Sequence, residues 1–174
     1  MKQKFLIFAA LTALVAGFTA CNKQETPASG DSQKQDFVME NRVVDIALSK
    51  DKTTASITFN EIRFGEAMPL DITLIILDVP VTVQGESIRF NWNDPENPIS
   101  LKVSMKGMEV PYTDHKLTSV KGAVEPDPKD GTKKTCNFDS IAFVANKEGK
   151  KDVTISFQGN LLEDLKFQGT FRAK

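Results

Sequence analysis

From Leu70 to Val83 apolar side chains occupy both phases of a two-residue period, Leu70, Ile72, Leu74 and Ile76 on one and Ile75, Leu77, Val79 and Val81 on the other. A strand with one buried face alternates cleanly, so this strand needs cover on both sides. A helix competes, but β-branched residues are dense here and Pro69 and Pro80 bound the run, which suits a strand. The face carrying Ile75, Leu77 and Val79 then requires a loop, a terminal segment, a partner subunit or a ligand. The chain's own loops are the plain candidate, because monomers seldom leave contiguous apolar surface bare.

Neighbouring segments read as further strands. Val43 to Lys50 alternates Val44, Ile46 and Leu48 against Val43, Asp45 and Ala47, and Asp51-Lys52 offers a tight turn into Thr53 to Phe64. There Ile57 and Phe59 share one phase and Ile62 and Phe64 the other, a shift near Asn60-Glu61 that marks a bulge. Gly85 turns the chain into Ser87 to Trp92, with Ile88, Phe90 and Trp92 on one face. Ile99, Leu101, Val103 and Met105 form the cleanest amphipathic strand. Gly107 to Lys116 has no regular period, and Leu117 to Val124 is a weaker strand. Glu125 to Lys134, with two prolines and an Asp130-Gly131 step, reads as a turn. Cys136 to Ala145, Asp152 to Gln158 and Lys166 to Arg172 complete the set. About eight to ten short strands with hairpin-length connections and no convincing helix give an all-β fold. Sequential connections favour an antiparallel, mostly up-and-down β-barrel, with a two-sheet sandwich as the alternative.

The N-terminus is organised differently. Lys2 and Lys4 precede an apolar and small-residue run from Phe5 to Phe18, followed by Thr19, Ala20 and Cys21. A basic start, a short apolar run and small residues define a secretory signal over residues 1–20. As a helix the run spans ~21 Å, short of the ~30 Å hydrocarbon core, so a permanent membrane span is disfavoured. Phe18-Thr19-Ala20-Cys21 resembles a bacterial lipobox, which makes Cys21 an acylated mature N-terminus. Residues 22–36 contain no large apolar side chain and cannot offset their ordering entropy, so 21–36 is an anchor with a linker reaching ~20 Å on average. Of the two cysteines this leaves Cys136 alone, a small buried hydrophobe rather than a disulfide partner. Residues 37–174, about 138 in number, suffice for one core and form a single domain.

Charge narrows the partners. Without Lys2 and Lys4 there remain 20 basic against 23 acidic side chains, a net charge of −3, and no basic run reads as a nucleic-acid footprint. Candidate chemistry is sparse. Trp92 stands among Asn91, Asn93, Asp94 and Asn97, where an aromatic face with polar neighbours is able to stack on a sugar or an apolar ligand. The competing role is burial at a barrel end. Asp94, Glu96 and Asn97 do not follow a calcium loop. Tyr112-Thr113-Asp114-His115 holds the one histidine, read as a loop residue, since zinc needs several converging ligands. No Gly-x-Ser-x-Gly turn presents a serine, so no enzyme activity and no cofactor are expected.

The strand ending at Phe59 to Phe64, the Met68-Pro69-Leu70 step, the run finishing Asp78-Val79-Pro80-Val81-Thr82, and the Val153 to Gly159 segment with its Phe-rich closing strand resemble the calycin-like lipoproteins of Bacteroides-type bacteria. That resemblance implies a lipocalin-like barrel and an envelope address, with no activity and no agreed ligand. The Gly-x-Trp motif of true lipocalins is lacking. The expected function is a non-catalytic, lipid-anchored envelope protein, held to the outer membrane through its N-terminal lipid. Its barrel binds a small hydrophobic or glycan-like ligand, with Trp92, Asn91, Asn93, Ile75 and Leu77 as candidate contacts. The alternative is a structural or inhibitory protein that binds another envelope protein, its lumen filled by Phe59, Phe90, Phe143, Phe157 and Phe167.

Overall fold

A computed structural model describes residues 36–174. The expected signal, Cys21 and the linker up to residue 35 lie outside the described residues. Ten strands follow in order: β1 (Phe37–Leu48), β2 (Thr54–Ile62), β3 (Ile72–Gln84), β4 (Ser87–Trp92), β5 (Leu101–Met105), β6 (Met108–Pro111), β7 (His115–Asp127), β8 (Asp130–Ala145), β9 (Val153–Glu163) and β10 (Lys166–Ala173). No helix occurs among the described residues. All pairings are antiparallel, in the order β2-β1-β10-β9-β8-β7-β4-β3-β5-β6, and β2 also pairs β3. That last pairing closes eight strands into an up-and-down barrel consistent with a calycin-like fold, and the β5–β6 hairpin is added outside the ring.

Three left-handed residues set which side chains enter the lumen. Asn41, Glu61 and Asp78 have φ near 56°, 51° and 55°, and the pairings of β1, β2 and β3 shift register around them. Each bulge moves the inward phase by one residue and tightens the local twist. On β2 the inward side chains are Ala55, Ile57 and Phe59 and then Ile62, as the Asn60-Glu61 phase shift implies. On β3 the outcome departs from simple alternation. Ile72, Leu74 and Ile76 point inward, Asp78 takes the bulge, and Val79 is fully buried with them. Val79 therefore does not share an outward face with Ile75 and Leu77, which stay half-buried outside.

Two other segments differ from the periodicity. Gly107 to Lys116 is not irregular: Lys106 and Gly107, both at positive φ, make a two-residue hairpin turn that returns the chain as β6. Glu125 to Lys134 is mostly strand, paired up to Asp127↔Asp130, so the reversal sits at Pro128-Lys129 rather than at Asp130-Gly131.

The lumen is packed. Phe59, Phe138, Phe143, Phe157, Phe167 and Phe171 are among its largest fully buried side chains, and Phe90 is 2% exposed. Phe59 lies at the centre, with ring centroids 5.9 Å from Phe138, 6.3 Å from Phe157 and 6.1 Å from Phe171, and Phe90 adds a 5.0 Å contact to Phe138. These tilted and edge-on pairs are the arrangements aromatic quadrupoles favour. Cys136 is fully buried, and burial pushes its thiol far above the ordinary range, which makes it inert.

The two ends of the barrel are unlike. At one, β1–β2, β3–β4, β7–β8 and β9–β10 are joined by short turns; at the other stand the longer connections 63–71 and 146–152, together with the short β6–β7 step 112–114. β3 divides its outer edge between β5 (Thr73 to Ile76) and β4 (Val81 to Gln84). β4 meets β7 only from Val120 onward, so the wall between β3 and β7 opens toward the long-loop end. The β5–β6 hairpin stands over that opening.

Candidate functional site

At the long-loop end a pocket of about 590 Å³ lies between the 63–71 loop, the β5–β6 hairpin and the 146–152 loop. Its apolar wall comes from Phe64, Met68, Ile72, Val103, Val110 and Val153, and its polar side from Tyr112, Asp114, His115 and three lysines. The volume is typical of small-molecule sites. Local structure explains the wall: Met68 N–H donates to the Gly65 carbonyl at 3.2 Å, which folds the loop so that the Met68 sulfur accepts from Phe64 N–H at 3.1 Å. Arg63 Nε, 2.7 Å from Asp71 Oδ1, ties the two ends of that loop together.

His115 is not a loop residue. It is the first residue of β7, paired with Ala145, and is the one buried polar or charged side chain among the described residues, 7% exposed. Its ring is held at both nitrogens: Nε2 is 2.9 Å from the Lys151 carbonyl oxygen and Nδ1 is 2.7 Å from the Tyr112 hydroxyl. A carbonyl only accepts, so Nε2 carries the hydrogen. In the neutral ring Nδ1 then accepts, and Tyr112 O–H donates to it. The two rings stack, with centroids 5.7 Å apart and an interplanar angle of 24°, and Phe64 closes on both. Burial, with the nearby Asp114 charge adding to it, pushes the Tyr112 phenol up to about 12, so it stays protonated and its oxygen presents lone pairs to the pocket.

Asp114 anchors the far side. Lys147 Nζ and Lys150 Nζ both bond its carboxylate, the latter at 2.9 Å, and these two hydrogen bonds, Lys147 first, lower it to about 2. The carboxylate is therefore ionised down to strongly acidic pH. Asn146 N–H donates to the Asp114 carbonyl at 2.9 Å and Asn146 Nδ2 to the Thr113 carbonyl at 3.2 Å, which pins the 146–152 loop to the β6–β7 connection. Gly149, at φ 80°, makes the reversal that brings Lys147 and Lys150 to the same carboxylate.

The residues singled out in the sequence are not brought together here. Trp92 ends β4, points inward and is 8% exposed, packed in the core. Asn91 and Asn93 are exposed on the opposite phase, so Trp92 shares a surface with neither. Asp94 is occupied within its own turn, accepting from Glu96 N–H, Asn97 N–H and Asn97 Nδ2. Ile75 and Leu77 lie on the outer side of β3, where Ile75 pairs Lys102 and Leu77 N–H donates to the Ser100 carbonyl at 3.1 Å. Of the segments considered, only Tyr112 to His115 enters the pocket. Among the described residues no group of three or more His, Cys, Asp or Glu is placed to hold a metal ion. Comparison with protein-family models, with curated proteins and with solved structures returned no match to this chain.

Proposed function

We propose that this is a non-catalytic, lipid-anchored protein of the cell envelope that holds a small apolar or amphipathic ligand at the long-loop mouth of its barrel. The observation that carries the reading is the mouth pocket itself. Apolar walls of this volume surround one oriented hydroxyl and one buried, doubly bonded imidazole, the composition expected of a ligand site. The lumen below is filled by phenylalanine rings, so the ligand belongs at the mouth and not along the axis. The lipobox-like ending at Cys21 and the resemblance to calycin-like lipoproteins supply the envelope address. The hydroxyl-and-base pair in the pocket, Tyr112 with His115, carries a phenol that burial keeps protonated, which favours binding over nucleophilic catalysis.

A neutral fluorescent probe, N-phenyl-1-naphthylamine, tests the pocket. One equivalent is expected to bind the wild-type domain, and Ala67→Trp, which places an indole in the pocket from an exposed loop position, is expected to weaken binding by about tenfold or more. No binding to wild type, or equal binding by both proteins, refutes the site. Anchoring has its own test. Cys21→Ala is expected to move the protein from the membrane pellet to the soluble fraction, and continued tight association would refute acylation at Cys21.

A second reading draws on the packed lumen and on Met105, Met108 and Val110, exposed on the β5–β6 hairpin. In it the barrel is a rigid adaptor that touches another envelope protein through this hairpin. Failure of the probe experiment would favour it.

A further inference from the structure

The charge around the mouth pocket opposes that of the chain as a whole. The full chain carries −1, yet the pocket is lined by Lys147, Lys150 and Lys151 against a single carboxylate, Asp114. The surplus is two positive charges. The other acids of the same loop do not offset it. Asp152 is turned to the Ala145 N–H at 2.9 Å, and Glu148 does not line the pocket. Lys147 and Lys150 are about half exposed, at 54% and 48%, so each keeps hydrogen-bonding capacity beyond its bond to Asp114. The Lys151 side chain is exposed and makes no ion pair among the described residues, while its carbonyl is fixed by His115.

These groups come from different elements. The apolar side chains Phe64, Met68, Ile72 and Val103 belong to the 63–71 loop, β3 and β5, and the three lysines all belong to the 146–152 loop. Tyr112 lines the same pocket, its hydroxyl hydrogen committed to His115, so it offers acceptors toward the pocket and does not itself attract an anion. A ligand matching this layout has an apolar body against the 63–71 loop, β3 and β5 and an anionic head at the lysines. A glycan would leave the apolar wall unmatched, and a neutral hydrocarbon would leave the lysine rim unused.

We propose that the pocket takes a single-chain amphiphile with an anionic head group, the apolar chain seated against Phe64, Met68 and Val103 and the head held by Lys150 and Lys151. This rests on the reading of the mouth as a ligand site and specifies its ligand class. Lys147 and Asp114 position the loop, and Lys150 and Lys151 supply the selecting charge.

Displacement of bound N-phenyl-1-naphthylamine by decanoate and by decanol, both below micelle-forming concentrations, separates the two levels. Decanoate is expected to displace the probe at a concentration about tenfold or more lower than decanol at low ionic strength, with the ratio shrinking as salt is added. Lys150→Gln/Lys151→Gln is expected to bring the ratio close to one, each concentration being read against that protein's own affinity for the neutral probe. Both changes are at exposed positions, and probe binding reports that the pocket is intact. Equal displacement by the two compounds, a preference that survives the double substitution, or a probe that neither compound displaces would overturn the charge selection and leave the pocket standing. A wild-type domain that binds no probe would overturn both.

Discussion

Phe59→Ala is expected to destabilise the barrel by about 3–5 kcal/mol, the range found when a buried aromatic is cut back in a core unable to collapse around the void. The ring is fully buried and touches Phe138, Phe157 and Phe171 at centroid distances of 5.9, 6.3 and 6.1 Å. Those three rings come from β8, β9 and β10, so the residue on β2 couples strands on the far wall of the lumen. A closed barrel has little freedom to relax inward, because each wall strand is held by ladders on both sides. Equilibrium urea unfolding of the domain gives the number directly. Phe59→Leu should retain more than half of the lost stability, since it leaves a smaller void. A loss below about 1 kcal/mol for the alanine variant would mean that the lumen is loosely filled.

How much of this was legible in the sequence depends on the distance over which each feature is encoded. The strands are local, and their alternation shows in stretches such as Ile88-Phe90-Trp92, buried throughout, and Val153-Ile155-Phe157, where Val153 is partly buried against the core and the other two are fully buried. The bulge on β2 left a phase shift because apolar residues stand on both sides of it. The bulge at Asp78 left none. Leu77 is half-buried on the outside and Val79 is buried within, so the apolar pattern continues unbroken across the flip. Two-phase hydrophobicity on β3 therefore had two sources, the half-buried Ile75 and Leu77 on its outer face and a change of inward phase at Asp78, and periodicity alone does not separate them. The short strand β6 was missed because all four of its residues are exposed, so burial left no period to read.

The candidate site was legible only in part, for a similar reason. Tyr112 to His115 drew notice as a cluster of chemical groups, but its meaning depends on Lys151, 36 positions from His115, and on Phe64 from another strand end. A histidine whose neighbours in sequence are polar reads as a surface residue. Here the Asp114 side chain turns to the lysines while the His115 ring turns into the core, as adjacent residues at a strand start must. Lys147-Glu148-Gly149-Lys150-Lys151 resembles any solvated turn until the fold places it over an apolar cup. Trp92 drew attention for its polar neighbours, yet those neighbours alternate to the outer face and the indole packs inward.

Gly169→Ala is expected to cost about 3 kcal/mol or more, at or above the usual range for an added methyl, because the methyl meets backbone and not a movable side chain. Gly169 on β10 pairs directly with Gly159 on β9. A Cβ at Gly169 would collide with the Gln158 carbonyl oxygen and the Gly159 Cα. Neither is able to yield without breaking the β9–β10 ladder. The second glycine of the pair has a different neighbour: a Cβ at Gly159 would lie 2.6 Å from Cζ of Phe157, so that ring covers the backbone where a side chain would otherwise stand. The glycine pair thus lets two wall strands approach closely and leaves room in the lumen for Phe157, one of the rings packed on Phe59. Gly131→Ala is the matched control, since nothing lies within 4 Å of its added methyl, and it should stay within about 0.5 kcal/mol of wild type. Urea unfolding of both variants compares them on one scale. Equal stabilities would show that the β9–β10 backbones have room to separate, and the close approach of these strands would then not be what fixes the aromatic packing of the lumen.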